Sequence, residues 1–212
     1  MMESLSARSR PLGESAAVVL TGSGFVVSQQ VSGGRLPFIG LCAVLRLGYI
    51  VLRVRRERRL LAEWGLRLDN LALAVWRCLP ALGLAAAGIV SYRLLRGWMP
   101  LPASSIALFV LYPIWALVQQ LLVQSLLAQN LRRMGLSSAL TVAAAALVFG
   151  LMHAPDWTLV PLCAAAGAAW TLLFLRTPNL IPLALSHGWL GVLAYYWVLE
   201  RTPWTGLQMA GS

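Results

Sequence analysis

Three glutamines and two histidines are the residues of this chain whose types and spacing could support chemistry. Gln119, Gln120 and Gln124 lie inside one apolar run, and His153 and His187, the two histidines of the sequence, follow on separate apolar segments. Gln120 and Gln124 are four residues apart and share a helix face, whereas Gln119 lies about 100° away. Polar side chains in hydrocarbon are costly and usually face a bundle interior or a cavity. We therefore expect these five residues to line one polar site.

The chemistry open to this site is limited by its lack of carboxylates, because no Asp or Glu occurs from Asn70 to Pro155. Glutamine amides can simply hydrogen-bond between helices, and this reading stays open beside that of a cavity wall. Neutral imidazole can relay protons or bind a metal. Metal sites normally have three or four ligands, and Asp156 is the nearest carboxylate to His153. No cofactor is required; if zinc binds, His153 and His187 are its ligands.

The composition places the site in a membrane protein. The 212 residues are 59% hydrophobic and 11% charged, against about 25% charged in soluble domains. Apolar runs of about 20 residues recur and can each cross a hydrocarbon layer of ~30 Å. These runs are continuous and not alternating, so they predict helices. The expected fold is all-α, a polytopic transmembrane bundle of six to seven spans, which excludes a soluble enzyme.

Breaks in hydropathy divide the chain into segments. Residues 1–35 are expected to be an N-terminal tail, polar over 1–14, with a weak first helix over 15–31 left open as a seventh span. Residues 36–70 hold a transmembrane helix and an Arg-rich cytoplasmic connection, 71–200 the transmembrane core, and 201–212 a C-terminal tail. The six firmer spans are Leu36–Leu52, Leu71–Leu95, Ser104–Leu131, Ser137–His153, Thr158–Leu175 and Asn179–Leu199.

The net charge of +10 comes from arginine alone, since the chain has no lysine. The densest cluster, residues 53–59, sits at the end of an apolar run, as the positive-inside rule predicts for a cytoplasmic loop. One side of the predicted topology collects nine arginines and the other three. We therefore expect contact with membrane lipid and none with nucleic acid. The use of arginine only, with abundant Ala, Leu and Gly, indicates a GC-rich bacterial genome and hence the bacterial inner membrane.

Three short motifs follow one another in the second half of the chain. Gln119-Gln120-Leu121-Leu122-Val123-Gln124 keeps the spacing of Glu-Glu-x-x-x-Arg, with Gln at all three functional positions. Phe149 and His153 match Phe-x-x-x-His, and His187 lies four residues before Gly191, where the third motif has Asn or Asp. With these motifs in this order, residues 64–200 resemble the CPBP intramembrane proteases, the CAAX-protease and bacteriocin-processing (Abi) family.

The resemblance implies an intramembrane endopeptidase acting on membrane or lipidated peptides. It implies His153, His187, Gln119 and Gln120 as catalytic positions, with Gln124, Phe149 and Gly191 lining the site. An amide cannot act as general base, however, and loss of a base typically costs ~10²–10⁴-fold in rate. The alternative is an inactive relative that binds a membrane peptide, a lipid or a partner protein. A third class, a small transporter or a cofactor-binding bundle, predicts broken helices, and Pro113 and Pro182 are residues that could supply the breaks.

Overall fold

The computed structural model describes residues 2–31 and 33–201, and all regular structure in these two ranges is helical. Of the expected C-terminal tail, residues 202–212 lie outside the described residues. The helices are α1 (Met2–Ser28), α2 (Arg35–Arg56), α3 (Leu60–Glu63), α4 (Leu71–Leu95), α5 (Ser105–Gln120), α6 (Gln129–Arg133), α7 (Ser138–Leu151), α8 (Leu159–Arg176) and α9 (Leu180–Leu193). Two π-helical segments, Leu121–Ala128 and Ala194–Val198, join α5 to α6 and extend α9.

Four continuous helices are long and apolar enough to cross a membrane. They are Leu36–Arg56, Leu71–Leu95, Ser105–Arg133 and Leu159–Arg176, and Ser138–Leu151 is a shorter apolar helix. The all-α membrane bundle expected from composition is therefore confirmed. The number of six to seven spans stays a prediction, because length and hydropathy alone support four.

Helix α1 differs from the expected tail. The expectation for 1–14 is wrong over residues 2–14, which are helical and continuous with the apolar stretch that follows. Contacts with the rest of the fold explain this. The Ser15 hydroxyl donates to the Leu126 carbonyl (3.4 Å), Glu14 accepts from the Asn130 amide (2.7 Å), and Val18 is fully buried. Tertiary packing thus stabilises a helix that its own sequence only weakly favours.

Close helix packing at small residues holds together the part of the fold that carries the glutamines and histidines. At Gly188 of α9, an added Cβ would lie 2.7 Å from the backbone nitrogen of Pro113 in α5. At Gly150 of α7, it would lie 2.8 Å from the Val160 carbonyl oxygen of α8. Because a side chain at either position would push the helices apart, these glycines permit α5 to approach α9 and α7 to approach α8.

The arginine-rich connection is fixed to one end of the bundle. Trp64 is buried, and its carbonyl accepts from the Ser125 hydroxyl (2.6 Å). The Gly65 carbonyl accepts from the Leu180 amide at the start of α9 (2.8 Å). Glu63 forms an ion pair with Arg133 at the end of α6 (3.1 Å). These bonds join the segment after α2 to the π-helical segment, to the end of α6 and to the start of α9.

Candidate intramembrane site

A hydrogen-bonded chain of three buried side chains forms the centre of the candidate site. Gln120, the last residue of α5, accepts at Oε1 from Gln124 Nε2 (3.1 Å). Its own Nε2 lies 3.3 Å from Nδ1 of His187 in α9. Gln120 and Gln124 are each 1% exposed and His187 is 5% exposed. The structure therefore brings two of the three glutamines and one histidine together in the interior.

The helix changes its hydrogen bonding directly after Gln120. Leu121–Ala128 is π-helical, and the Gln129 amide bonds to the Gln124 carbonyl five residues earlier. Such turns are rare and occur frequently at functional sites, because the wider turn redirects side chains. Here the π-helical segment carries Gln124, and Gln124 keeps the contact with Gln120 that four-residue spacing predicts.

Aromatic rings enclose the two imidazoles. The Phe149 ring centroid lies 5.0 Å from that of His153 and 5.3 Å from that of His187, both edge to face. Trp170 of α8 covers His187 with its ring centroid 4.6 Å away, and the Trp170 indole nitrogen donates to the Ser186 hydroxyl (3.0 Å). The histidines of α9 and of the turn after α7 thus converge on one phenylalanine.

The hydrogen bonds assign different roles to the two imidazoles. His153 Nδ1 lies 2.8 Å from the Phe149 carbonyl oxygen, which can only accept, so Nδ1 carries the proton and Nε2 has a free lone pair. Gln120 Oε1 is occupied by Gln124, so Gln120 donates through Nε2 to His187 Nδ1. Neutral His187 then carries its proton on Nε2. The site therefore presents one imidazole acceptor and one imidazole donor.

One family model matches the part of the chain that carries this site. The model of the Rce1-like family, described as Type II CAAX prenyl endopeptidase Rce1-like, matches residues 101–193. Residues 101–193 are an Rce1-like segment. The predicted family relationship is confirmed, and the segment contains all seven predicted site positions, although it begins later than residue 64. Searches of curated proteins and of solved structures gave no match.

Gln119 takes no part in the hydrogen-bonded chain of the Rce1-like segment. It is half-buried, and its Oε1 is enclosed without a partner among the described residues. Gln124 Oε1 is likewise buried and unpartnered there. The structure therefore joins Gln120, and not its neighbour, to the histidines, and it leaves two amide oxygens able to accept.

The described carboxylates of the chain are all committed away from this site or lie at the surface. Asp156, the nearest in sequence to His153, pairs with Arg201 and accepts from the Thr158 and Leu159 amides at the start of α8. Glu63 and Glu200 pair with arginines at the two ends of the bundle. In the part of the chain that the structure describes, no three His, Cys, Asp or Glu side chains are arranged to hold a metal. Two imidazoles alone do not fit the ligand set of zinc.

The third-motif position of the Rce1-like segment is filled from another helix. A Cβ at Gly191 would lie 2.5 Å from Cε1 of Tyr112 in α5, so the tyrosine ring occupies the space of an Asn or Asp side chain. The Tyr112 ring centroid also lies 6.3 Å from that of His187. Neither Tyr112 nor Trp170 is predicted from the sequence, because lone aromatic residues in apolar runs give no spacing signal.

Proposed function

We propose that this protein binds an extended polypeptide segment at the glutamine–histidine site inside the membrane and does not hydrolyse it. The buried amide oxygens of Gln119 and Gln124, each without a donor among the described residues, carry the proposal. Buried acceptors left unpaired cost roughly 1–3 kcal/mol each, so they favour a ligand with N–H groups. An unwound peptide backbone supplies such donors in regular succession.

Missing acid–base chemistry supports binding without hydrolysis. Both acidic positions of the first motif are amides, and Gln120 uses its two functional ends on Gln124 and His187. A general base must accept a proton from water, which an amide cannot do near neutral pH. The described carboxylates form ion pairs or hydrogen bonds elsewhere or lie at the surface, so none of them replaces the missing pair.

The family description suggests the class of ligand. Type II CAAX prenyl endopeptidases, by their name, act on prenylated CAAX ends of polypeptides. A membrane-embedded or lipidated peptide is accordingly the proposed ligand, with membrane lipid around the bundle and no nucleic acid involved. The use of arginine without lysine, typical of a GC-rich bacterial genome, supports the bacterial inner membrane as the location of the protein.

A second candidate function, endopeptidase activity with a histidine base, is favoured by one observation. The Nδ1 contact with Phe149 leaves a lone pair on Nε2 of His153, which a water molecule could use as a proton acceptor. His187 Nε2–H would then be positioned as a donor to the developing oxyanion. This candidate requires His153 for any cleavage.

One experiment separates the two functions. The full-length protein in lipid vesicles is incubated with a panel of membrane and lipidated peptides that carry a photo-crosslinker, and both crosslinking and cleavage are read by mass spectrometry. We expect crosslinking without cleavage, reduced about tenfold or more in Gln124→Leu. Gln129→Leu serves as the control. Gln129 lies on the same continuous helix, and its Oε1 is also buried without a partner among the described residues. Its Nε2 donates to the exposed Glu63 carbonyl, however, and it takes no part in the hydrogen-bonded chain from Gln124 to His187.

The outcomes are distinct. If the unaltered protein cleaves a peptide and His153→Ala does not, the binding function is refuted and the endopeptidase function is supported. An equal fall in crosslinking in Gln124→Leu and Gln129→Leu would refute the proposed site. Crosslinks to residues of the protein far from 119–124 would refute it as well.

A further inference from the structure

A large cavity lies at the arginine-rich end of the bundle, away from the glutamines and histidines. Its volume is about 930 Å³, and α1, α2, α3 and the end of α6 enclose it. None of the seven predicted site positions lines it. Six charged side chains do, three positive and three negative: Arg10, Arg53, Arg133, Glu14, Glu57 and Glu63.

Some of these charges hold the walls of the cavity together. Arg133 and Glu63 form an ion pair (3.1 Å) that ties α6 to α3. Glu14 of α1 accepts from the Asn130 amide (2.7 Å) and from the Tyr49 hydroxyl of α2. These contacts are structural, because each one links two different helices.

Two polar groups of the cavity are buried without a partner. Arg53 Nε has no hydrogen-bond partner among the described residues, and neither has Asn130 Oδ1. Asn130 is 1% exposed, and its Nδ2 already donates to Glu14 and to the Leu126 carbonyl (2.9 Å). The side chains that line the cavity therefore include one with an unused donor and one with an unused acceptor, and Arg10 makes no ion pair with a described acid.

The position of the cavity fits the headgroup layer of a membrane. Arg53 and Glu57 lie at the end of the candidate span Leu36–Arg56, and Arg133 ends the span Ser105–Arg133. Charged side chains at span ends meet lipid headgroups, and arginines there attract phosphate. Leu60 and Trp64 add an apolar wall to the same cavity.

We infer that this cavity binds a phosphoethanolamine group. Its phosphate would accept from Arg53 and Arg10, and its ammonium would donate to Asn130 Oδ1 and the Glu57 carboxylate. Hydrogen bonds between such ionised groups are the strong ones. The lining has three positive and three negative side chains, so its net attraction for a purely anionic headgroup is small. The same lining matches both the phosphate and the ammonium of a zwitterionic headgroup.

Native mass spectrometry of the full-length protein in detergent micelles tests this inference. Phosphatidylethanolamine, phosphatidylcholine and phosphatidylglycerol with the same acyl chains are offered at equal concentration. We expect phosphatidylethanolamine to be retained in preference, because the choline headgroup lacks N–H donors and the glycerol headgroup lacks the cation. Arg53→Ala should weaken its binding about tenfold or more. Arg56→Ala, an exposed arginine at the same helix end that does not line the cavity, should leave binding unchanged.

A second variant guards against misfolding of the first. Glu57 is exposed, so Glu57→Gln should fold normally and narrow the preference for phosphatidylethanolamine over phosphatidylglycerol. Competition with free phosphoethanolamine identifies the source of the group: displacement of lipid indicates headgroup recognition alone, and no displacement indicates that the acyl chains also bind. Equal retention of the three lipids, or equal losses in Arg53→Ala and Arg56→Ala, would overturn the inference.

Discussion

Gln120 shows how a single side chain holds the candidate site together. Its amide takes a hydrogen bond from Gln124 and gives one to His187, so one neutral side chain links two helices. A glutamate there would carry charge into the interior without a cation close by, because the first-motif arginine position is Gln124. The three glutamines therefore form a consistent neutral set.

Removal of the Gln120 amide should be costly. Gln120→Leu keeps the approximate size but leaves Gln124 Nε2 and His187 Nδ1 buried without partners. Since each unsatisfied group costs roughly 1–3 kcal/mol, we expect a loss of about 2 kcal/mol or more in the free energy of unfolding. Unfolding of the protein in detergent, followed by intrinsic fluorescence, measures this loss.

The control for this prediction is Gln129→Leu, which removes an exposed hydrogen bond to the Glu63 carbonyl and a buried Oε1 that has no partner among the described residues. Its cost should stay below about 1 kcal/mol. Equal destabilisation by the two substitutions would show that the Gln120 network contributes no stability of its own.

The pairing of helices depends on glycines at the points where two helices touch. At Gly188, a Cβ would meet both the backbone and the ring of Pro113 at 2.7 Å. The proline ring is rigid and its backbone nitrogen belongs to α5, so neither can move without displacing the helix. This contact sets the distance between α5, which carries Gln120, and α9, which carries His187.

Gly188→Ala should therefore destabilise the protein by about 1–3 kcal/mol or more, as overpacking does. Gly88→Ala in α4 is the matched control, because nothing lies within 4 Å of its added Cβ. This second change should be neutral or stabilise by up to about 1 kcal/mol, since alanine favours helix more than glycine does. Thermal unfolding of both variants in the same detergent checks the contrast, and similar melting temperatures would contradict it.

Tyr112 and Gly191 should behave as a coupled pair across α5 and α9. Gly191→Asn alone should be destabilising, because its Cβ would lie 2.5 Å from the Tyr112 ring. Combined with Tyr112→Ala, the same change should cost less than it does alone, because the ring that blocks it is gone. A double-mutant cycle on unfolding free energies should give a favourable coupling of about 1 kcal/mol or more. Additive effects would mean that the ring does not fill the third-motif position.

Across the whole molecule, ion pairs lie at both ends of the helical bundle, and one end is rich in arginine. The ion pair of Glu63 with Arg133 lies at the arginine-rich end, and Arg93 pairs with Glu200 at the other (2.9 Å). The predicted orientation puts the first end in the cytoplasm. This sidedness rests on the excess of arginine there.

Thiol labelling in intact cells tests the orientation. Arg58→Cys and Arg96→Cys each replace one exposed arginine, at opposite ends, in a variant whose three natural cysteines are alanine. We expect a membrane-impermeant maleimide to label the Arg96→Cys protein directly and the Arg58→Cys protein only after the membrane is permeabilised. The reverse pattern would invert the topology.

The order of amino acids was sufficient to predict the class of the fold and to indicate candidate residues for a polar site. Apolar runs long enough for a bilayer require helices, because lipid offers the backbone no other partner. Four-residue spacing was sufficient to place Gln120 and Gln124 on one face, and the motif order was sufficient for the family. These properties are local along the chain, so they can be read without the fold.

Tertiary structure decided which of these residues meet. Gln120 and not Gln119 bonds to His187, Tyr112 fills the place opposite Gly191, and the first half of α1 is helical where a tail was expected. The π-helical turn and the charged cavity likewise have no signal in the spacing of residues. The contacts of Gln120 with His187 and of Tyr112 with Gly191 arise where α5 and α9, far apart in sequence, approach closely, and that approach depends on packing at Gly188 and Gly191.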